Sequence, residues 1–560
     1  MLDVFLKNRK ARFSVAIKAL ALALPLLAAA VTTRCDRGQP GDESPWLTVR
    51  DGRVVNEASG AAVILRGVNV DMFYYSQSWQ PEVVWNYFDE WSADRLAADG
   101  VTLVRLAFHW NTLAEVEPRV SLKAEALDRY RQIVGWLAAR NIYVVLDMHV
   151  PPGNDDIDPG SGAFWRDAKN AADLVAIWKL LAAAFRAEPF VLGYDIFNEP
   201  SPPDAEDWWK LLAEAIGAIR QVDTRHIIVV EPPWVENESG FRQVADSLAL
   251  YSVHFYEPFA VSHRGADWVG DTAVPADGTY PGEALVDMEW LSSADPTLTA
   301  TGAGGWKEVQ ALNVSVPGGA AYATVTFFGW GDTDCLFDDV AVTRNGAAVE
   351  LINPGISLAS PNDAARPKAW FHNSGSGFTC QWVRTDGHAG PGALRINGSG
   401  EWAVWQQLEW ALLTRPLVKV TPGDRLSVRA FAKPQGMSGR AGVTVDFYKP
   451  VYRYYDRTTL QREVMASGVA WLKERNLAVH IGEFGSMAAD VDATATAYIR
   501  DLAGIFNALA LPWTLWTFRD GGGPEEFGFG IMRCPPESLP AACQIFRPSV
   551  YFPWQAALRE

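Results

Sequence analysis

The sequence predicts a (β/α)8 TIM barrel of the α/β class with an antiparallel β-sandwich inserted between its sixth and seventh strands. Three observations predict it. Short apolar runs alternate with amphipathic stretches eight times along the chain. The runs are apolar on both faces, as strands buried in a parallel sheet must be. The alternation breaks once, where a segment rich in Gly, Pro and short β-prone runs takes over.

The predicted strands are Val63–Asn69, Leu103–Leu106, Tyr143–Asp147, Leu192–Phe197, His226–Val230, Tyr251–Val253, Ala478–Ile481 and Trp513–Trp516. Between them, stretches such as Glu125 to Arg140 and Ala205 to Val222 carry helical periodicity, which returns at Arg457 to Lys473. An open doubly wound sheet is the alternative. It would bring a Gly-rich phosphate turn after the first strand, and the sequence has none there. The break spans 282–448. It contains Ala323–Phe328 and Arg425–Phe431 with turn signals such as Thr421-Pro422-Gly423-Asp424 between them, the texture of a β-sandwich. The expected organisation is a targeting segment at 1–35, the first part of the barrel at 46–281, the sandwich at 282–448, and the rest of the barrel at 449–560.

The chain has 560 residues, 49% hydrophobic and 21% charged, which allows a large core and excludes global disorder. A formal net charge of -17 speaks against nucleic acid as a partner. Lys7, Arg9, Lys10, Arg12 and Lys18 precede an apolar run from Ala19 to Val31 that ends in small residues, the pattern of a signal peptide. The run is short for a membrane span. Export to the periplasm or beyond is the expectation, with membrane tethering the alternative. An exported protein suits disulfides. We expect Cys335 to bridge Cys380 and Cys534 to bridge Cys543, leaving Cys35 single, with buried free thiols as the competing role. No C-x-x-C or H-E-x-x-H spacing is present, so neither metal nor cofactor is expected.

Barrel sites form at the C-terminal ends of the strands. Polar residues gather there: Arg105, His109 and Trp110 on the second; Asp147 and His149 on the third; Asn198 and Glu199 after the fourth; His254 and Tyr256 after the sixth; Glu483 on the seventh; Trp516 on the eighth. A lone Glu at a strand end is usually just solvated, and a lone His usually a satisfied structural group. Their joint placement at one rim argues otherwise. Two glutamates facing each other across a barrel mouth can supply a proton donor and a nucleophile, provided their proton affinities differ. The 24 Trp fit the same picture, since a flat indole with one N–H donor suits the C–H face of a sugar ring, although core and lid packing accounts for most of them.

The motifs Asp195-Ile196-Phe197-Asn198-Glu199-Pro200, Ser252-Val253-His254-Phe255-Tyr256 and Ile481-Gly482-Glu483-Phe484-Gly485, in this order on these strands, resemble glycoside hydrolase family 5, the cellulase-type family of clan A. The resemblance runs from Arg66-Gly67-Val68-Asn69 to Trp516. It implies a retaining hydrolase with Glu199 as acid/base and Glu483 as nucleophile. It further implies that Asn198 binds the sugar 2-hydroxyl, that Arg105 and Tyr256 hydrogen-bond the nucleophile, that His149 and His254 line the subsite, and that Trp516 is its floor, held by a cis peptide to Thr517. Trp268, in a segment with Glu257-Pro258-Phe259, His263 and Gly265, also matches bacterial members. The large insert departs from the family pattern and leaves cleft shape and substrate length open.

The insert resembles, more weakly, jelly-roll carbohydrate-binding modules with their two halves in reversed order. Trp330, Trp370, Trp382, Trp402 and Trp405 are its candidate sugar platforms, with core packing the competing role for each. The leading expectation is an endo-β-1,4-glucanase that takes a β-linked polysaccharide or oligosaccharide, works as a monomer and needs no cofactor. A β-mannanase or a glycolipid-cleaving glycosidase is the alternative within the class, and a non-catalytic glycan-binding protein the alternative outside it. The presence of both Glu199 and Glu483 favours an enzyme.

Overall fold

The computed structural model describes residues 44–72, 88–153, 164–233, 240–266, 274, 278–360, 366–409, 415–416, 418–487, 492–519, 528–533, 544–545 and 547–560. The expected signal peptide, Cys35, Trp268, Cys534 and Cys543 lie outside the described residues.

Eight parallel strands close a barrel. They are Arg66–Asp71, Leu103–His109, Tyr143–Val150, Val191–Asp195, Ile227–Val230, Ala249–His254, Ala478–Glu483 and Trp513–Leu515. Trp513 pairs with Arg66 to complete the ring. Each strand falls on a predicted run, with ends moved by a few residues. The strands are buried almost throughout, because helices cover the outside and side chains fill the inside. Five helices start on an aspartate whose carboxylate accepts a first-turn backbone N–H: Asp89, Asp167, Asp204, Asp456 and Asp492. These caps satisfy donors that the helix itself leaves open.

A β-hairpin that the sequence reading did not single out lies under the barrel. Leu47–Arg50 pairs antiparallel with Arg53–Asn56 across Asp51-Gly52, both with positive φ, as a tight hairpin turn requires. Its Leu47 and Val54 pack with Leu103, Val145, Leu192, Ile227 and Leu250 at the strands' N-terminal ends. The bottom of the barrel is thus sealed with apolar side chains, and the polar groups gather at the opposite rim.

Between the sixth and seventh barrel strands the chain forms an antiparallel sheet running from Gly282–Ser293 to Arg425–Tyr455. Its first and last strands are partners, with Gly282 opposite Tyr455. Two of its strands, Tyr322–Arg344 and Arg425–Tyr455, are far longer than the short runs expected there, because they bend without leaving the ladder. Phe327 and Phe337 share one strand, yet their rings stack at 4.7 Å. An extended strand would hold residues that far apart at roughly 33 Å. The strand therefore folds over, and its halves face each other across one core. The corner falls at Gly331 and the adjoining Gly398, both with positive φ; a Cβ on Gly398 would collide with the Gly377 carbonyl. Trp370 and Trp405 are buried in this core. Trp330 is exposed and Trp382 half-buried. Trp382 and Trp405 line a groove of about 630 Å³ together with Arg366, Phe371, His372 and Gln381.

The expected Cys335–Cys380 bridge is absent, and both thiols are free. The ladder explains why. Cys335 and Cys380 are both register partners of Ile396, one on each side of its strand. Two ladder steps separate them by roughly 9.5 Å, beyond the reach of a disulfide. Burial pushes the Cys335 thiol up to about 12 and the Cys380 thiol up to about 11. Cys335 should therefore resist iodoacetamide in the native protein, Cys380, half-buried at the groove, should react more slowly than a free thiol, and both should label after unfolding without reductant. Peptide mapping that found either one protected in the unfolded, unreduced chain would contradict this arrangement.

Candidate active site

Arg105 organises the rim of the barrel. It is fully buried on the second strand and raised well above its ordinary value: burial opposes the charge, but Asp147, Asp195, Glu483 and Glu231 outweigh it. Its Nε donates to Asp195 Oδ2 at 2.9 Å. Nη1 donates to Glu483 Oε1 at 2.8 Å and Asn69 Oδ1 at 3.1 Å. Nη2 donates to Asn198 Oδ1 at 2.8 Å and Glu231 Oε1 at 3.1 Å, and lies 3.1 Å from Asp147 Oδ2. The planar fork of donors fixes all these partners in one geometry.

Glu483 ends the seventh strand and is nearly buried. Its second oxygen accepts from Tyr256 Oη at 2.9 Å. Burial alone would raise this carboxyl; His254 and then Arg105 outweigh it and hold Glu483 below its usual value. Glu199 follows the fourth strand, with a side chain 16% exposed. Burial raises its carboxyl above the usual value, the hydrogen bond with His254 works the other way, and the charges of Glu483 and Glu231 add to the rise. One carboxylate is thus stabilised as an anion and the other as an acid. An oxygen of each, with a nitrogen of His254, lies within 4.8 Å of the others.

His254 Nδ1 lies 2.7 Å from Glu199 Oε1 and 3.7 Å from Glu483 Oε2. Burial lowers its pKa, but Glu231, Glu483 and the bond with Glu199 raise it well above the ordinary histidine value. Its position depends on Gly482: a Cβ there would collide with Ser252 Oγ and His254 Nε2. His149 Nδ1 pairs with Asp147 Oδ2 at 2.8 Å, leaving Nε2 to meet Asn198 Nδ2 at 3.2 Å. Trp516 stacks on His149 at 4.9 Å, and its peptide bond to Thr517 is cis. By distance, Glu199, His254 and Glu483 could hold a cation. Their donor atoms are already engaged with one another, with Arg105 and with Tyr256, and the Arg105 guanidinium would repel the ion.

Of the candidate residues, Arg105, His149, Asn198, Glu199, His254, Tyr256, Glu483 and Trp516 meet in this one place. His109 does not join them: its Nδ1 accepts from Asn111 N at the start of the short helix Trp110–Leu113. His263 packs beneath, stacked on Phe259 at 3.8 Å. Asn69 and Glu231 belong to the cluster and were not singled out from the sequence. The signal for Glu231 was present, an acid directly after the apolar run Ile227–Val230.

Two buried histidines near the site have a consequence for stability. Burial holds His263 down to about 3, and burial, helped by Arg105 and His254, holds His480 down to about 3. The folded values lie below the unfolded ones, so their contribution is complete above pH 6.5 and is lost as pH falls toward 3. Each group should cost about 1.4 kcal/mol of stability per pH unit in that window. His263→Phe, which keeps the stack on Phe259, should flatten the fall in urea midpoint between pH 6.5 and 5. An unchanged slope would show that His263 does not stay neutral.

A closed parallel barrel with its polar groups gathered at the C-terminal rim has the architecture on which TIM-barrel enzymes build their sites. Comparison with known proteins narrows this. Residues 57–293 match the family model of the cellulases, glycosyl hydrolase family 5. Endoglucanase C of Acetivibrio thermocellus is 27% identical over 202 residues, covering 35% of this chain and 59% of that protein. A beta-xylosidase of Phanerodontia chrysosporium is 27% identical over 197 residues, covering 33% of this chain and 41% of that protein. The chain thus spans less than two thirds of the length of these relatives. A solved hyperthermophilic endo-beta-1,4-glucanase aligns with 88% of this chain and 97% of its own, at 15% identity and a TM-score of 0.45.

Proposed function

We propose that the protein is a retaining β-glycoside hydrolase acting on a β-linked glucan, as an endo-β-1,4-glucanase, with Glu199 as general acid/base and Glu483 as nucleophile. The observation that carries this reading is the opposed proton affinity of two carboxylates whose oxygens approach within 4.8 Å. Retention needs carboxyl groups about 5–5.5 Å apart, and inversion needs about 6.5–9.5 Å to admit a water.

In the first step Glu483 attacks the anomeric carbon as the bond to the leaving oxygen breaks, and Glu199 gives that oxygen its proton. A glycosyl ester on Glu483 results. In the second step Glu199, now a carboxylate, takes a proton from water; the water oxygen attacks the same carbon, and the ester bond to Glu483 breaks. Arg105 and Tyr256 orient the nucleophile through one oxygen each. Asn198 has one amide hydrogen committed to His149 and the other left to reach a sugar hydroxyl. Trp516, stacked on His149, offers a flat face to the ring. Trp268 completes the proposed binding set.

Two further proposals accompany this one. The first 35 residues direct export, consistent with their basic-then-apolar pattern. The protein acts as a monomer, with the sandwich as a module of its own between barrel strands. Among the described residues no helix is long and apolar enough to cross a membrane.

The test is to incubate purified protein with β-glucans, mannans, xylans and glycolipids, size the products, and follow the first-formed anomer by proton NMR. Release of β-anomers and short cello-oligosaccharides supports the reading. α-Anomers would end the retaining mechanism. Cleavage confined to mannan or glycolipid would replace the substrate.

A further inference from the structure

Glu231 has no place in the two-step chemistry above, yet it meets Arg105, His254 and the backbone of Glu199. It follows the fifth barrel strand, with its side chain almost fully buried. Burial works against its charge, but His254, Arg105 and the Glu199 amide outweigh it and hold the carboxyl down to about 2.

Its two oxygens have different tasks. Oε2 accepts the backbone N–H of Glu199 at 2.7 Å. Glu199 has φ of 46°, in the left-handed region that residues other than glycine rarely adopt. The carboxylate thus ties down the unusual peptide from which the Glu199 side chain departs. Oε1 lies 3.1 Å from His254 Nε2, a charge contact set off the line of a good hydrogen bond. The opposite nitrogen of that ring meets the Glu199 carboxyl. Glu231 therefore holds Glu199 from both ends, directly at the backbone and through an imidazole at the side-chain tip.

We propose that Glu231 is a positioning residue for acid catalysis, fixing the aim of the Glu199 carboxyl on the leaving-group oxygen. The proposal rests on the reading of Glu199 as general acid. Another route runs from Oε1 through Arg105 to Glu483, and by it Glu231 would serve the nucleophile instead. The two routes differ in one observable. Help to the acid matters in proportion to how poor the leaving group is, whereas help to the nucleophile matters for every substrate.

The experiment compares wild type with Glu231→Gln and Glu231→Asp on aryl β-glycosides of cellobiose, mannobiose and xylobiose, graded from 2,4-dinitrophenol to phenol. Gln keeps an acceptor for the Glu199 amide but loses the charge that draws His254. Asp keeps the charge but withdraws it by one methylene. Acid catalysis supplies about 10²–10⁴-fold, so each variant should lose about 100-fold in kcat/KM on the phenyl glycoside and less than about tenfold on the dinitrophenyl one. Thermal denaturation in parallel shows whether each variant is folded at assay temperature. An equal loss across the series would assign Glu231 to the nucleophile and overturn the proposal. Failure of both variants to fold would make it a purely structural residue, with the same result. A wild type that cleaves none of these glycosides would overturn the glycosidase reading itself, a separate outcome.

Discussion

Replacing Glu483 with alanine should lower turnover by about 10⁴-fold or more, the scale on which loss of a covalent nucleophile acts in other hydrolases. The reason is specific to this site. Arg105, His254 and Tyr256 all converge on that carboxylate, and none of them can form a bond to the anomeric carbon. The cavity left by the side chain faces a cationic wall, so a small anion should enter it. Azide should then restore part of the activity on a substrate with an activated leaving group, and the product should be the glycosyl azide of inverted configuration. Full activity in Glu483→Ala would end the assignment. Rescue giving an azide of retained configuration would show that another group still forms the covalent bond.

The second large effect is expected at Arg105. Arg105→Met keeps much of the volume and removes the charge. Asp147, Asp195, Glu231 and Glu483 would then share a buried space without their common cation. Breaking a buried ion pair by deleting one partner costs about 3–5 kcal/mol. We expect a loss of that size in urea unfolding at pH 7, together with loss of activity. The sign of the pH dependence provides the check. Burial already raises the Asp195 carboxyl and Arg105 is the cation that opposes this, so without Arg105 Asp195 takes up its proton at higher pH in the folded state and the variant should regain stability relative to wild type as pH falls toward 5. A deficit that stays constant across this range would mean that lost packing, not uncompensated charge, is the cause.

Much of this architecture was legible in the sequence because its signals are local. A barrel strand such as Tyr143–Val150 is apolar on both faces, and helices such as Ala205–Arg220 show in the periodicity of their own residues. The motifs after the fourth, sixth and seventh strands were read from residues adjacent in the chain. What stayed hidden depends on neighbours in space. Cys335 and Cys380 lie in the same central segment of the sequence, which made a bridge plausible, but in space the strand carrying Ile396 runs between them. The corner at Gly331 and Gly398 was not read from the sequence, which suggested only short β-prone runs, because a bend that keeps its ladder looks like an interruption in one dimension. Glu231 was overlooked because it follows a short strand with no polar motif; its importance comes from the Glu199 amide 32 positions earlier.

The pairing of Gly282 with Tyr455 bears on the order in which the chain assembles. The sixth and seventh barrel strands are hydrogen-bonded neighbours, yet about 220 residues of chain separate His254 from Ala478. For a disordered connection that long, bringing the two strands together carries a closure entropy that grows with the logarithm of its length. Once the intervening sheet has formed, its first and last strands lie side by side, and only about 50 residues of chain still separate the barrel strands. The closure term falls by about 1.3 kcal/mol on the same logarithmic law. The middle of the sequence thus acts as an internal splint that must set early: barrel closure should wait for it, and mutations that slow the sheet's own collapse should slow the final step of the whole chain.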